Sequence, residues 1–289
     1  MKDVSLKYRL EWIGVRITIW IFGCLGRRRA AAFGGWLARK IGSHMKVHSL
    51  ARTNMEQALP DLSPEEIDIN LMQMWDNLGR NIGELPFNKS IMADPKAVEI
   101  IGGEHMEAYL ESEKAAFFVT AHYGPWELVG LVGQRLGERA TGIYRAANNP
   151  LVEDFFQEMR ADPHYKFVPK GREGARAILK AARAGGAIVL LNDQKLNGGM
   201  AVPFFGREAM TAPAVAEIAC KMDVPIYPMR TERLANGKRR LTIYPAIERA
   251  STGDKKEDVY ALLKAINETY EEWITERPGH WFWVHNRWS

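Results

Sequence analysis

Two residues five positions apart, His122 and Glu127, stand at the end of the apolar run Ala115-Ala-Phe-Phe-Val-Thr120 and have the types that move protons. A neutral imidazole takes a proton from a hydroxyl near neutral pH. A carboxylate on its other ring nitrogen fixes the tautomer and stabilises the imidazolium that forms. The run predicts a buried strand, and Gly124-Pro125 breaks it. Proline suits the first turn of a helix, so Glu127 is expected there, with its carboxylate folded back onto the imidazole. Neither Cys24 nor Cys220 has a catalytic-looking context, and there is no G-x-S-x-G elbow. The dyad therefore points to an oxygen nucleophile supplied by a substrate rather than to a covalent intermediate. The alternative is a histidine that is only a hydrogen-bonded loop residue.

Further polar residues follow other expected strands. Arg145 and Asn148 follow a strand at 141–144, and arginine's planar fork matches phosphate oxygens. Lys170 and Arg172 precede a helix at about 173–184, whose N-terminus favours anions. Asp193 and Gln194 end the most apolar strand, 187–192, where they would order the site or contact a sugar. Helices at 125–136, 150–160 and 173–184 alternate with strands at 115–120, 141–144, 166–168 and 187–192. This alternation predicts an α/β fold with a mixed sheet flanked by helices, polar residues converging at one sheet edge.

Ser63-Pro-Glu-Glu66 has capping-box spacing and opens an amphipathic helix that carries Asn77, Arg80 and Asn81 as possible polar gates. Residues 225–247, split by Asn236-Gly237, predict a hairpin. Arg233, Lys238, Arg239 and Arg240 near its tip form a candidate patch for an acidic protein or lipid phosphate. An amphipathic helix over 254–276 precedes a run, His280-Trp-Phe-Trp-Val-His285-Asn-Arg-Trp288, too aromatic on both faces to be exposed.

With 46% hydrophobic and 26% charged residues, the 289-residue chain can bury a substantial core. It divides most simply into an N-terminal membrane-associated helical segment, 1–45, and a catalytic domain, 46–289. The stretch Trp12–Gly26 is apolar apart from Arg16, and is flanked by Lys2, Lys7, Arg9 and Arg27-Arg28-Arg29. As a helix it covers roughly 22 Å against a hydrocarbon core of ~30 Å, so it suits lying in an anionic leaflet better than crossing it. The triple arginine would keep the catalytic part on the cytoplasmic side. Two distant cysteines and the pair His44/His48 give no metal site. The net charge of +4 comes with no nucleic-acid motif, which leaves an anionic membrane, a phosphorylated lipid or an acidic protein as partners.

The H-x-x-x-x-E pattern with His122-Tyr-Gly-Pro-Trp-Glu127-Leu resembles the first block of the glycerolipid acyltransferase-like superfamily. Tyr144-Arg-Ala-Ala-Asn-Asn-Pro150, Asn192-Asp-Gln194, Val202-Pro-Phe-Phe-Gly206 and the C-terminal aromatic run follow in order. The ordered set is similar to the bacterial lipid A biosynthesis late acyltransferases. The resemblance implies a fatty acyl donor on acyl carrier protein and a lipid A precursor as acceptor. It further implies catalysis by His122 and Glu127, substrate contacts from Arg145, Asn148, Asp193 and Gln194, and an acyl tunnel shaped by 202–206. No cofactor or metal is needed, and the inner membrane's cytoplasmic face is the expected location. Another glycolipid or lysophospholipid acceptor, a hydrolase, and a noncatalytic lipid-binding protein remain alternatives.

Overall fold

A computed structural model describes residues 5–112, 114–161, 165–235 and 237–288. Lys2 of the basic flank and Asn236 of the expected turn lie outside the described residues. Four helices open the chain: α1 (Leu6–Leu25), α2 (Arg27–Gly42), α3 (Lys46–Ala58) and α4 (Pro64–Glu84), followed by the short α5 (Asn88–Ala93). Then come β1 (Val98–Ile101), α6 (Gly103–Ser112), β2 (Ala116–Thr120), α7 (Val129–Leu136), β3 (Ala140–Tyr144), α8 (Pro150–Arg160), β4 (Tyr165–Pro169), α9 (Arg172–Arg183) and β5 (Ala187–Leu191). A small hairpin of β6 (Met200–Phe204) and β7 (Arg207–Thr211), α10 (Ala214–Met222), β8 (Ile226–Arg233), β9 (Arg239–Ile243) and α11 (Lys255–Glu276) complete it.

The seven-stranded sheet has the order β1-β9-β8-β2-β5-β3-β4. Its pairings are parallel, as strands alternating with helices predict, except for the β8–β9 hairpin, which makes the sheet mixed. β2, with every residue buried, sits near its middle. That position explains why the strand reads as an unbroken apolar run rather than an alternating one. One core layer joins α9, α10, α11 and α4 to one face, and the other joins α5, α6 and α7 to the opposite face.

The loop after β2 is held from two sides. α4 begins with the capping box at Ser63 and Glu66 and turns Asn77 and Asn81 inward, where both side-chain amides donate to the Gly124 carbonyl, at 3.0 and 2.8 Å. The two asparagines thus anchor a loop rather than gate a channel, while Arg80 pairs with Asp76. From the other side the C-terminal run docks along the loop. The Gly124 amide donates to the His280 carbonyl at 2.9 Å, and the Phe282 amide to that of His122 at 3.0 Å. Gly124 itself has φ +54°, and a Cβ there would lie 2.2 Å from the Thr231 carbonyl oxygen, so only glycine fits.

α2 packs on α4 through facing small residues: a Cβ on Gly34 would meet the Gly79 carbonyl oxygen at 2.2 Å, and one on Gly83 that of Ala30 at 2.3 Å. α1 leaves a row of apolar side chains exposed, among them Leu6, Leu10, Ile13, Ile17 and Trp20, and Phe33, Trp36 and Ile41 on α2 are exposed too. Among the described residues no helix is long and apolar enough to cross a membrane.

Candidate active site

Strand register brings the polar residues together. β2 and β5 are parallel neighbours with Thr120 opposite Leu191, so two residues further on His122 stands level with Asp193. Nδ1 of His122 lies 2.8 Å from one Asp193 carboxylate oxygen, and the His122 backbone amide donates to the other at 2.9 Å. A carboxylate only accepts here, so Nδ1 carries the proton, and in the neutral imidazole Nε2 is the bare nitrogen. The Trp281 indole N–H donates to Asp193 at 2.8 Å. Burial by itself would push the Asp193 carboxyl pKa up, but the His122 imidazole and its hydrogen bonds hold it well below the usual carboxylate range.

On the Nε2 side, the Gln194 amide nitrogen is 3.3 Å from Nε2 of His122 and 2.9 Å from Nε2 of His285. His285 is held neutral, its pKa lowered to about 4 by burial, against a partly offsetting Asp193 and with help from the nearby His122, Lys170 and Arg145. It therefore accepts from Gln194 rather than competing for that acceptor. The His122 side chain keeps 22% of its surface exposed.

Glu127 is placed differently from the sequence expectation. Residues Trp126–Leu128 form a 3₁₀ turn, and the α-helix starts only at Val129. The Glu127 carboxylate does not occupy Nδ1 of His122, where Asp193 sits; it accepts from Arg160 at 2.9 Å, on the last residue of α8. This ion pair forms part of the wall of a half-enclosed, mostly apolar cavity of ≈ 240 Å³, lined also by Met92, Gly130, Phe156, Tyr165 and Phe167.

The other expected residues share the edge without all touching. The β3–β4 register, Tyr144 opposite Pro169, sets Arg145 level with Lys170. Arg145 donates to Asn148 at 3.2 Å, and both are exposed, as are Lys170 and Arg172 at the start of α9. The hairpin-tip patch is largely consumed internally: Arg233 and Arg239 both pair with the buried Glu84, and Arg240 pairs with Glu99. Val202–Phe204 form a strand of the small hairpin, and Phe204 packs on Trp281 and Trp288, with none of the five residues 202–206 lining the cavity beside Glu127. Arg160, Trp281 and His285 went unrecognised as site residues in the sequence. Their only signals are a charge at the end of a helix after the second motif block and a terminal aromatic run whose partners lie far away in the chain. Among the described residues no group of three or more His, Cys, Asp or Glu is arranged to hold a metal.

The carboxyl edge of a mainly parallel sheet thus carries an oriented imidazole, and five residues further on Glu127 forms part of the wall of a mostly apolar cavity. The chain matches the family model for bacterial lipid A biosynthesis acyltransferases over residues 2–289 and belongs to that family. It is 24% identical to the lipid A biosynthesis acyltransferase of Haemophilus influenzae over 257 residues, covering 87% of this chain and 77% of that one. It is equally 24% identical to the lipid A biosynthesis palmitoleoyltransferase of Escherichia coli, over 97% of this chain and 91% of the other. Similarity extends to a phosphatidylinositol mannoside acyltransferase of Mycobacterium tuberculosis, 22% identical over 82% of this chain and 76% of that one.

Proposed function

We propose that this acyltransferase moves a fatty acyl chain from the thioester of acyl carrier protein to a hydroxyl of a lipid A precursor, at the cytoplasmic face of the inner membrane. The observation that carries the chemistry is the His122 imidazole, with Nδ1 hydrogen-bonded to the buried Asp193 and Nε2 bare. In the reaction the acceptor hydroxyl gives its proton to Nε2 as its oxygen attacks the thioester carbonyl. The tetrahedral oxyanion collapses, the carbon–sulfur bond breaks, and the leaving sulfur takes the proton back from the imidazolium. Ester and thiol are the products, with no net proton change.

Glu127 is assigned to the same site through Arg160. Their ion pair holds the cavity wall in place and sets a cation beside the path of the acyl chain. The cavity, greasy below and charged at Glu127–Arg160, suits an aliphatic chain whose polar head remains outside. Arg145, Asn148, Lys170 and Arg172 offer donors to the phosphates or sugar of the acceptor, with Gln194 beside the attacking oxygen. The exposed apolar row of α1, together with Trp36 and Arg27 to Arg29, suits an anionic membrane surface.

A second acceptor is favoured by one specific observation, the similarity to an acyltransferase for phosphatidylinositol mannosides. Radiolabelled acyl carrier protein offered with lipid A precursor, with mannosylated phosphoinositide or with lysophospholipid separates the cases, and mass analysis of the product gives the acylated position. An acylated lipid A precursor is expected. In the same assay His122→Ala should lose about 10²–10⁴-fold in rate with an unchanged circular dichroism spectrum. Wild-type turnover by that variant, or release of free fatty acid alone, would sink the proposal.

A further inference from the structure

Many arginines of the fold are engaged by carboxylates: Arg233 and Arg239 by Glu84, Arg230 by Glu232 and Glu276, Arg249 by Asp223, and Arg39 and Arg80 by Asp76. α9 is different. Arg172, Arg176, Lys180 and Arg183 are all exposed, and none forms an ion pair with any described residue. At 3.6 residues per turn these four and Leu179 fall within an arc of about 100°. The opposite side, Gly174, Ile178 and Ala182, is buried on the sheet. Leu179, 39% exposed, stands within the row of cations. Glu173 is the helix's one carboxylate.

The position of this face gives it a meaning. α9 begins beside the reaction edge, because Lys170 directly precedes it and stands level with Arg145. Both charges act on the half-buried His285, whose ring centroid lies 5.3 Å from that of His122. A continuous basic track therefore leaves the site and runs the length of α9, roughly 18 Å by its twelve residues. It is distinct from the apolar surface of α1 and α2. A helix that lies in a bilayer needs a broad apolar face, and α9 exposes a single leucine among its cations. Such a row with one apolar anchor is complementary to an acidic protein helix.

We propose that the exposed face of α9 is the docking surface for an acidic helix of the carrier protein that delivers the acyl thioester. This rests on the donor assigned above, and it adds where that donor sits: against Arg176, Leu179, Lys180 and Arg183, with its thioester arm directed past Lys170 to His122.

The test compares wild-type protein with the triple variant Arg176→Glu/Lys180→Glu/Arg183→Glu. Binding of fluorescently labelled acyl carrier protein is measured by anisotropy over a range of salt, and cosedimentation with anionic phospholipid vesicles is measured in parallel. For the wild type, affinity should fall steeply with salt. The variant should bind the carrier at least about tenfold more weakly, with a shallower salt dependence, raised KM for the carrier-bound donor, unchanged kcat and unchanged vesicle binding. Equal carrier affinity in the two proteins would overturn the proposal. So would loss of vesicle binding with carrier affinity intact, which would give this face to the membrane. Absence of carrier binding by the wild type itself would instead remove the donor assignment, and the surface with it. Should the charge reversal fail to fold by its thermal melt, Arg176→Gln/Lys180→Gln replaces it, with a loss of about threefold or more expected and equal affinity again overturning the assignment.

Discussion

An imidazole works as a base only in the tautomer that leaves the receiving nitrogen bare, and in this chain that choice is made by Asp193. The carboxylate accepts from Nδ1 and from the same residue's backbone amide while the Trp281 indole donates to it, so each of its contacts favours the charged form. Asp193→Asn keeps the shape and presents an amide that can donate to Nδ1, which selects the unproductive tautomer. Its rate should fall by about 10²–10⁴-fold, close to that of His122→Ala, with substrate KM little changed. A loss confined to KM in steady-state assays would reduce Asp193 to a substrate-binding residue. His122 was legible from its place after an apolar strand. The identity of its partner was not, because sequence spacing favours a residue five positions on. The actual neighbour is 71 positions away, on a strand whose adjacency is a property of sheet order. The same register made Asp193 visible as a strand-end residue while hiding what it touches.

At the scale of elements, the loop that carries His122 depends on structures far from it in the sequence. Asn77 and Asn81 of α4, separated by one helical turn, grip one carbonyl, and residues 280–282, at the end of a 3₁₀ turn, supply the opposite pair of hydrogen bonds. Gly124 is the point where both restraints meet at a positive φ. Gly124→Val forces a β-branched side chain into that backbone conformation and against the Thr231 carbonyl. A destabilisation on the order of 2–4 kcal/mol is expected, measurable as a lowered denaturant midpoint, together with a large loss of activity. A variant as stable and as active as the wild type would show that the loop has freedom its contacts deny. Elements with a strong period, such as α4, α9, α11 and β5, were readable from sequence within a residue or two. The turn at Trp126–Leu128 was not, since a proline marks the start of a helix but not whether its first turn is α or 3₁₀. The hairpin of β6 and β7 was missed as well. Its aromatic words look the same in a buried strand and in a tunnel wall.

Over the whole molecule, two surfaces of different chemistry flank the sheet edge that carries His122. Asn149 links that edge to the first helix by donating to the Tyr8 carbonyl at 2.9 Å and to Glu11 at 3.0 Å, while Arg16 lies over Phe155 of α8. α1, with its apolar row, is thus tied to that edge, and α9 leads away from the same edge as a charged face. Replacing Ile17 and Trp20, 52% and 69% exposed, by aspartate should weaken binding to anionic vesicles by about tenfold or more while leaving the melting temperature nearly unchanged. Unaltered vesicle binding would move the membrane contact elsewhere. Composition exposed the basic and apolar surplus early. Which cations are neutralised inside the fold depends on long-range pairs such as Arg233 with Glu84, 149 positions apart.

The double restraint on the loop after β2 also separates the smallest folded sheet from the smallest working enzyme. Residues 98–243 contain all seven main strands, yet α4 lies before that stretch and the segment 280–282 lies beyond it. A fragment trimmed to the sheet would keep the imidazole and its carboxylate and lose both braces that aim them. The aim of the imidazole is set by buried contacts from both ends of the chain, and the strands alone do not supply them.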